Sequence, residues 1–323
     1  MTGEHPVPRE KTTYWLNRLA SGGVFLALVL AVLGASLLSP AFLRPSNLLN
    51  ITRQAAALGI LSIAQTMVII AGGVDLSVAA TMQLAVVLMA EISRGDDGRV
   101  LGAAIVCLLA GALIGWINGL IVTKRKVPAF VVTLGVGVVV TGARLAYTTG
   151  SPSGLLPPIV RLLGGGYVAG VPVILVIFAV LALVSQVLLT KTTFGRRLYA
   201  RGANVEAARL SGVHVDRVLI VTYVITGVVS VLAGLVLAGY LGYADQWIGK
   251  GYEFDSITSV VVGGGSFAGG VGTVSGTVAG VLLVTVLVNV VLLLNLDVQY
   301  QLIVKGVVII AAVAIHSLRR PNT

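Results

Sequence analysis

Charge is what this chain has least of. Asp, Glu, Lys and Arg make up 11% of its 323 residues, against about 25% in an ordinary soluble domain. With 57% hydrophobic residues and a mean hydropathy of +1.00, too little polar surface exists to coat a water-facing fold, so the main solvent must be lipid. Cysteine is nearly absent as well. Cys107 stands alone inside an apolar run, which excludes a disulfide framework and a thiolate metal site. The three histidines, His5, His214 and His316, fall in tails or at membrane borders, and neither H-E-x-x-H nor G-x-S-x-G occurs. Metal-dependent and nucleophilic hydrolysis therefore have no constellation to rest on. No glycine is followed by Lys-Ser or Lys-Thr, so the chain lacks a phosphate loop, and no cofactor is expected in it. Acidic residues number 12 against 22 basic ones. The basic residues form neither a tail nor a stripe interleaved with aromatics, so nucleic acid is not an expected partner; they sit between apolar runs, where orientation in a bilayer is encoded.

One membrane crossing needs about 20 mostly apolar residues. Runs of that kind cover 19–38, 53–71, 76–92, 100–123, 129–148, 168–190, 217–241, 257–275, 276–294 and 300–316. The expected class is an all-α, polytopic integral membrane protein of about ten transmembrane helices. Its parts are a cytoplasmic tail 1–18, a transmembrane domain 19–316 holding a cytoplasmic loop 191–216, and a cytoplasmic tail 317–323. Gly34-Ala35-Ser36 could mark a signal-peptide cleavage site, but the first run exceeds the usual core of about 7 to 15 residues and reads as an uncleaved helix. The stretch 257–294 is the hardest to divide, because its glycines could equally mark a re-entrant hairpin.

With the N-terminus inside, the inner segments collect 14 of the 22 basic residues. Among them are Lys124, Arg125, Lys126, Lys191, Arg196, Arg197, Arg201, Arg209, Arg319 and Arg320. Glu91, Asp96, Asp97, Asp245, Glu253, Asp255 and Asp297 go outside, so the positive-inside bias places both termini in the cytoplasm. Two stretches also look alike. Trp116 to Leu120, a break at Lys124 to Pro128 and the run Ala129 to Val140 resemble Leu287 to Val291, the break Asn295 to Gln301 and the run Leu302 to Val313. Gly72-Gly73 has a counterpart in Gly263-Gly264-Gly265. Spans two to five and seven to ten would then be inverted repeats, an arrangement that puts a solute path near the midplane between broken helices; shared composition is the alternative explanation.

Three segments carry polar chemistry. Gly72-Gly73-Val74-Asp75-Leu76-Ser77 interrupts two apolar runs, and Asp75 can cap a helix starting at Leu76 or line the solute path. Gly269 to Gly276 has the spacing G-x-G-x-x-x-G from Gly270 rather than a dinucleotide fingerprint. Gly272, Gly276 and Gly280 instead form a small-residue ridge for close helix packing. The third is the loop Lys191 to Asp216. There Asn204 can cap a short helix from Val205, Glu206 sits in its first turn where the dipole favours it, and Gly212 stops it. A loop stiffened in this way suits a docking knob, although a solvated interfacial helix would use the same residues.

Several ordered motifs resemble the ribose-type permeases of bacterial ABC sugar importers. They are Gly59 to Thr66 leading into Ile70-Ala71-Gly72-Gly73-Val74-Asp75-Leu76-Ser77-Val78; Val127-Pro128-Ala129-Phe130 through Gly135; Thr193-Phe194-Gly195-Arg196-Arg197-Leu198-Tyr199-Ala200 with Asn204 and Glu206 to Gly212; and Gly251-Tyr252-Glu253-Phe254-Asp255-Ser256-Ile257. The resemblance spans 40 to 316. Val74, Phe254 and the pair Ala79-Ala80 depart from it conservatively. It implies a permease, not an enzyme, that pairs with a second permease copy or paralogue, a cytoplasmic ABC ATPase subunit and an external solute-binding protein, and moves a sugar-like small solute across a bacterial cell membrane. By resemblance, Arg196, Arg197, Asn204, Glu206, Ala207, Ala208 and Gly212 form the element that engages the ATPase. The translocation path is assigned to Gln65, Gly72, Gly73, Asp75, Asn118, Gly264, Ser266 and Asn289. The competing class is an ion-coupled secondary transporter using Asp75, Glu91, Arg144, Asp297 or Lys305.

Overall fold

The computed structural model describes residues 10–150 and 155–318. In chain order the helices are α1 (Glu10–Leu38), α2 (Pro45–Ile70), α3 (Val78–Ser93), α4 (Val100–Lys124), α5 (Ala129–Thr148), α6 (Pro158–Gly165), α7 (Val173–Lys191), α8 (Thr193–Ala203), α9 (Val205–Leu210), α10 (Val215–Leu241), α11 (Tyr252–Val262), α12 (Val274–Leu293) and α13 (Val298–Leu318). A short 3-10 turn, Asp97–Arg99, precedes α4, and a two-residue hairpin, Tyr167–Val168 with Val171–Pro172, precedes α7. Among the described residues, six helices are long and apolar enough to cross a membrane: α2, α4 with its 3-10 turn, α5, α7, α10 and α12. The chain is an all-α, multi-pass membrane protein.

Long apolar helices cannot choose neighbours by hydrophobicity alone in lipid, so polar bonds and small residues decide which ones meet. Helix α2 occupies the centre, with nearly every residue from Ala55 to Ile70 buried. It packs against α10, α11 and α12, while α10 packs against α2, α3 and α4. Helix α3 meets α4 and α5 as α11 meets α12 and α13, and α4 meets α5 as α12 meets α13. The set α2 to α5 thus repeats as α10 to α13. The Arg201 guanidinium donates to the carbonyls of Ala71, just after α2, and of Val215, at the start of α10. The end of α2 therefore lies beside the start of α10. The equivalent helices α2 and α10 thus run antiparallel, as an inverted repeat requires.

Glycine sets the closest contact in the bundle. Gly111, Gly115 and Gly119 recur every fourth residue on α4, and a Cβ at each would meet the α10 backbone at Gly227, Tyr223 or Ile220. Backbone cannot retreat as a side chain can, so overpacking here should cost more than about 3 kcal/mol. We expect Gly227→Leu to prevent accumulation of folded protein, whereas Gly102→Leu, on the open side of α4, should leave it unchanged. Comparing the amount and melting of detergent-solubilised protein for the two variants checks this.

Several expectations need correction. Helix α1 begins at Glu10, inside the stretch read as a tail. Residues 1–9 and 319–323, with Arg319 and Arg320, lie outside the described residues. The run 257–275 is not one helix: α11 stops at Val262, eleven irregular residues follow, and α12 starts at Val274. A sequence of Gly263-Gly264-Gly265 with Gly264 at φ 94° cannot continue a helix. Asp255 and Ser256, read as external loop, are buried inside α11. Gly272 precedes α12 and is no part of its ridge; Gly276 and Gly280 alone face the α11 backbone, at Gly263 and Ser259.

Candidate functional site

The loop between α7 and α10 folds as two short helices. Thr192 caps α8, its hydroxyl accepting from Gly195 N at 3.2 Å. Asn204 then ends α8 and caps α9 with its side-chain oxygen, 2.9 Å from Ala207 N. Glu206 sits in the first turn of α9, paired with Arg209 at 2.9 Å. Gly212, at φ 79°, closes the helix, and the Val213 N–H returns to the Ala208 carbonyl. Each of these roles follows from residue type at its position. Ala208 is buried as the anchor of α9, while Arg196, Arg197, Asn204, Glu206, Ala207 and Gly212 are exposed. Leu210 is 82% exposed at the tip, an apolar side chain among cations. Beside it a cleft of about 420 Å³ is lined by Lys124, Arg209, Gly212 to Val215, Asp216 and Arg217.

Beneath this knob lie both breaks of the bundle. The α2–α3 break holds Gly72, at φ 77°, and Gly73, against which the Tyr223 hydroxyl packs; that hydroxyl donates to the Val74 carbonyl at 3.1 Å. Asp75 is buried and accepts from Ser77 N at 2.8 Å and Ser77 Oγ at 2.6 Å. The helix starts at Val78 rather than Leu76, because the Asp75 carboxylate folds the preceding residues into a turn and Ser77 takes the cap position. Asn118, from α4, donates to Ser77 Oγ at 2.8 Å, and Thr133 Oγ1, from α5, accepts from Leu76 N at 3.1 Å. The second break, before α12, carries Gly264 and Ser266, and Gly270 N donates to the Ile70 carbonyl at 2.8 Å.

The residues assigned to a solute path do not form one cluster. Asp75 and Asn118 join through Ser77, with Gly72 and Gly73 alongside. Gln65 lies buried in α2, its amide nitrogen and oxygen both without a hydrogen-bond partner. Asn289 is far from these. It exchanges hydrogen bonds with Asn47 at the opposite end of α2, at 2.9 and 3.1 Å. Sequence reasoning missed the ion pair of Lys305, on α13, with Asp255 on α11, 2.6 Å apart. The ten-span division places Asp255 in a loop, where it would face water rather than a helix. It also missed Arg201 and Tyr199 as structural ties; their apolar flanks at Leu198 and Phe194 were the available signal. Of the candidate ion carriers, Lys305 is held in that pair and Arg144 is buried, donating to the Gln246 carbonyl with Trp247 stacked 5.4 Å away.

A membrane-spanning helical bundle with two interrupted connections and a stiff polar knob over them has the build of a transport protein. Residues 47–313 match the family described as the permease component of the branched-chain amino acid transport system, and this chain belongs to that permease family. It is 42% identical to the ribose import permease protein RbsC of Bacillus subtilis over 293 residues, 90% of this chain and 91% of that protein. Against RbsC of Escherichia coli K12 the identity is 36% over 313 residues, 96% of each chain. The galactose/methyl galactoside import permease protein MglC of the same organism is 35% identical over 324 residues, 94% of this chain and 96% of the relative. No solved structure matches the chain.

Proposed function

We propose that this chain is the membrane-spanning subunit of an ATP-binding-cassette importer for a monosaccharide or a related small polar solute. The observation that carries it is the capped, exposed α9 knob set over two interrupted connections of an inverted repeat, in a chain whose relatives are named as sugar import permeases. ATP is hydrolysed by a separate cytoplasmic subunit that grips Arg196, Arg197, Asn204, Glu206, Ala207 and Gly212, with the buried Ala208 seating α9 beneath them. An external binding protein delivers the solute, and a second permease copy or paralogue completes the path. The solute moves past Gln65, Gly72, Gly73, Asp75, Asn118, Gly264, Ser266 and Asn289. Gln65 supports this assignment most directly, since a buried amide with no partner is costly unless something polar visits it.

In this reading the chain crosses the membrane ten times. Residues 263–273 complete the crossing that α11 begins, both termini and α8–α9 face the cytoplasm, and the acidic connections face outward. Single cysteines at Ser211 and Tyr243, introduced after Cys107 is replaced, give the test. In intact cells an impermeant maleimide should modify Tyr243→Cys and spare Ser211→Cys; inverted vesicles should show the reverse. Modification of both from one side would contradict the topology and the placement of the ATPase.

A further inference from the structure

Helix α9 presents the exposed tip, yet it touches the membrane part very little. Its anchor is Ala208, and the α10 segment that follows is its main neighbour outside the loop. Helix α8 is different. Arg201 donates through Nη1 to the Ala71 carbonyl at the α2–α3 break and through Nε to the Val215 carbonyl, 3.2 Å away, at the start of α10. Two residues earlier in α8, Tyr199 Oη donates to the Gly272 carbonyl at 2.7 Å, in the break before α12. Gly202 lies so close to Ile70 and Gly270 that an added Cβ would collide with the carbonyl of one and the amide nitrogen of the other. Gly270 N in turn bonds the Ile70 carbonyl at 2.8 Å. Both interrupted connections, one from each half of the repeat, therefore end on this one helix.

We propose that α8 is the lever that moves the two breaks together, and that Arg201 is its positioning residue, because a single guanidinium joins the end of α2 to the start of α10 while Tyr199 holds the other break. The inference rests on the reading of this loop as the ATPase contact, and adds to it a division of labour: α9 receives the push and α8 delivers it. Arginine suits the role because its planar fork reaches two carbonyls at fixed angles, whereas the compact ammonium of lysine rotates freely and reaches one at a time. Neither residue touches solute or ATPase in this scheme. Displacing α8 in either direction shifts the ends of α2 and α10 and the segment ahead of α12 at once, since bonded carbonyls follow the donor. The break residues are free to respond, being glycine at the positions of positive φ, Gly72, Gly264, Gly269 and Gly270.

The test uses the assembled transporter, purified with its ATPase and reconstituted with binding protein and solute, and reads three quantities: ATPase subunit retained, ATP hydrolysed, and solute accumulated per ATP. In Arg201→Gln the ATPase should remain bound and hydrolyse ATP while solute per ATP falls about tenfold or more, the scale of losing a charge-assisted bond pair. Arg201→Lys should recover part of that loss. Tyr199→Phe, which removes one hydroxyl and little else, guards against a folding defect and should lower solute per ATP about twofold to fivefold. Unchanged solute per ATP in Tyr199→Phe and Arg201→Lys would overturn the lever, as would loss of the bound ATPase in all three variants, which would make α8 part of the docking face. Failure of the underlying reading shows itself separately: a wild-type chain that retains no ATPase would remove the docking site whatever the Arg201 variants do.

Discussion

In Glu206→Lys, solute uptake should fall at least tenfold while the protein still inserts and accumulates as wild type. Local stability does not account for a loss of that size. The Glu206–Arg209 pair is exposed, with side-chain exposures of 67% and 54%, and such pairs contribute at most about 1 kcal/mol. Placing a cation in the first turn opposes the dipole by about the same or less. The Asn204 cap and the Gly212 stop are untouched, so α9 remains folded. What changes is the charge offered at the tip, where lysine joins Arg196, Arg197 and Arg209 and leaves α8 and α9 without a carboxylate. A partner surface built to meet a mixed-charge α9 now meets cations there, and like-charge juxtaposition across an interface costs several kcal/mol, enough for a tenfold to hundredfold loss of docking. Uptake and the ATPase subunit retained on purification should fall together. Wild-type uptake at wild-type expression would remove Glu206 from the docking face.

Much of this is legible in the sequence. The α9 knob was readable residue by residue, because cap, acidic first turn and glycine stop are local rules that the rest of the fold does not override. The break at Gly72 to Ser77 was readable for the same reason, though its helix start moved two residues once the Asp75 carboxylate was seen turning back on Ser77. The Trp116 and Leu287 stretches fall on α4 and α12, which hold like places in the packing of α2 to α5 and of α10 to α13. Gly72-Gly73, however, lies between α2 and α3 and Gly263-Gly264-Gly265 between α11 and α12, so the glycines do not follow that correspondence. Contacts between distant segments were not legible. The Lys305–Asp255 pair depends on where α11 ends, and hydropathy could not divide 257–294 because its glycine-rich middle is as apolar as a helix. The α4 ridge of Gly111, Gly115 and Gly119 is not legible either, since only its partner, the α10 backbone, distinguishes a packing ridge from scattered glycines. Arg201 counted merely as one more inner-side cation, although it ties two helices and a break together.

Energy coupling separates this account from its rival most sharply. In the proposed reading the energy comes from the separate ATPase subunit. A self-contained secondary transporter would need an ionisable group free to change charge, and Lys305 is held at 2.6 Å by Asp255. The direct measurement is solute accumulation in sealed vesicles holding the purified chain, with binding protein outside and, in turn, ATPase subunit with ATP inside or an imposed proton or sodium gradient. Accumulation should require the ATPase subunit and ATP together, and should be at background with either gradient alone. Accumulation by the purified chain on a proton or sodium gradient, with no ATPase present, would contradict the account.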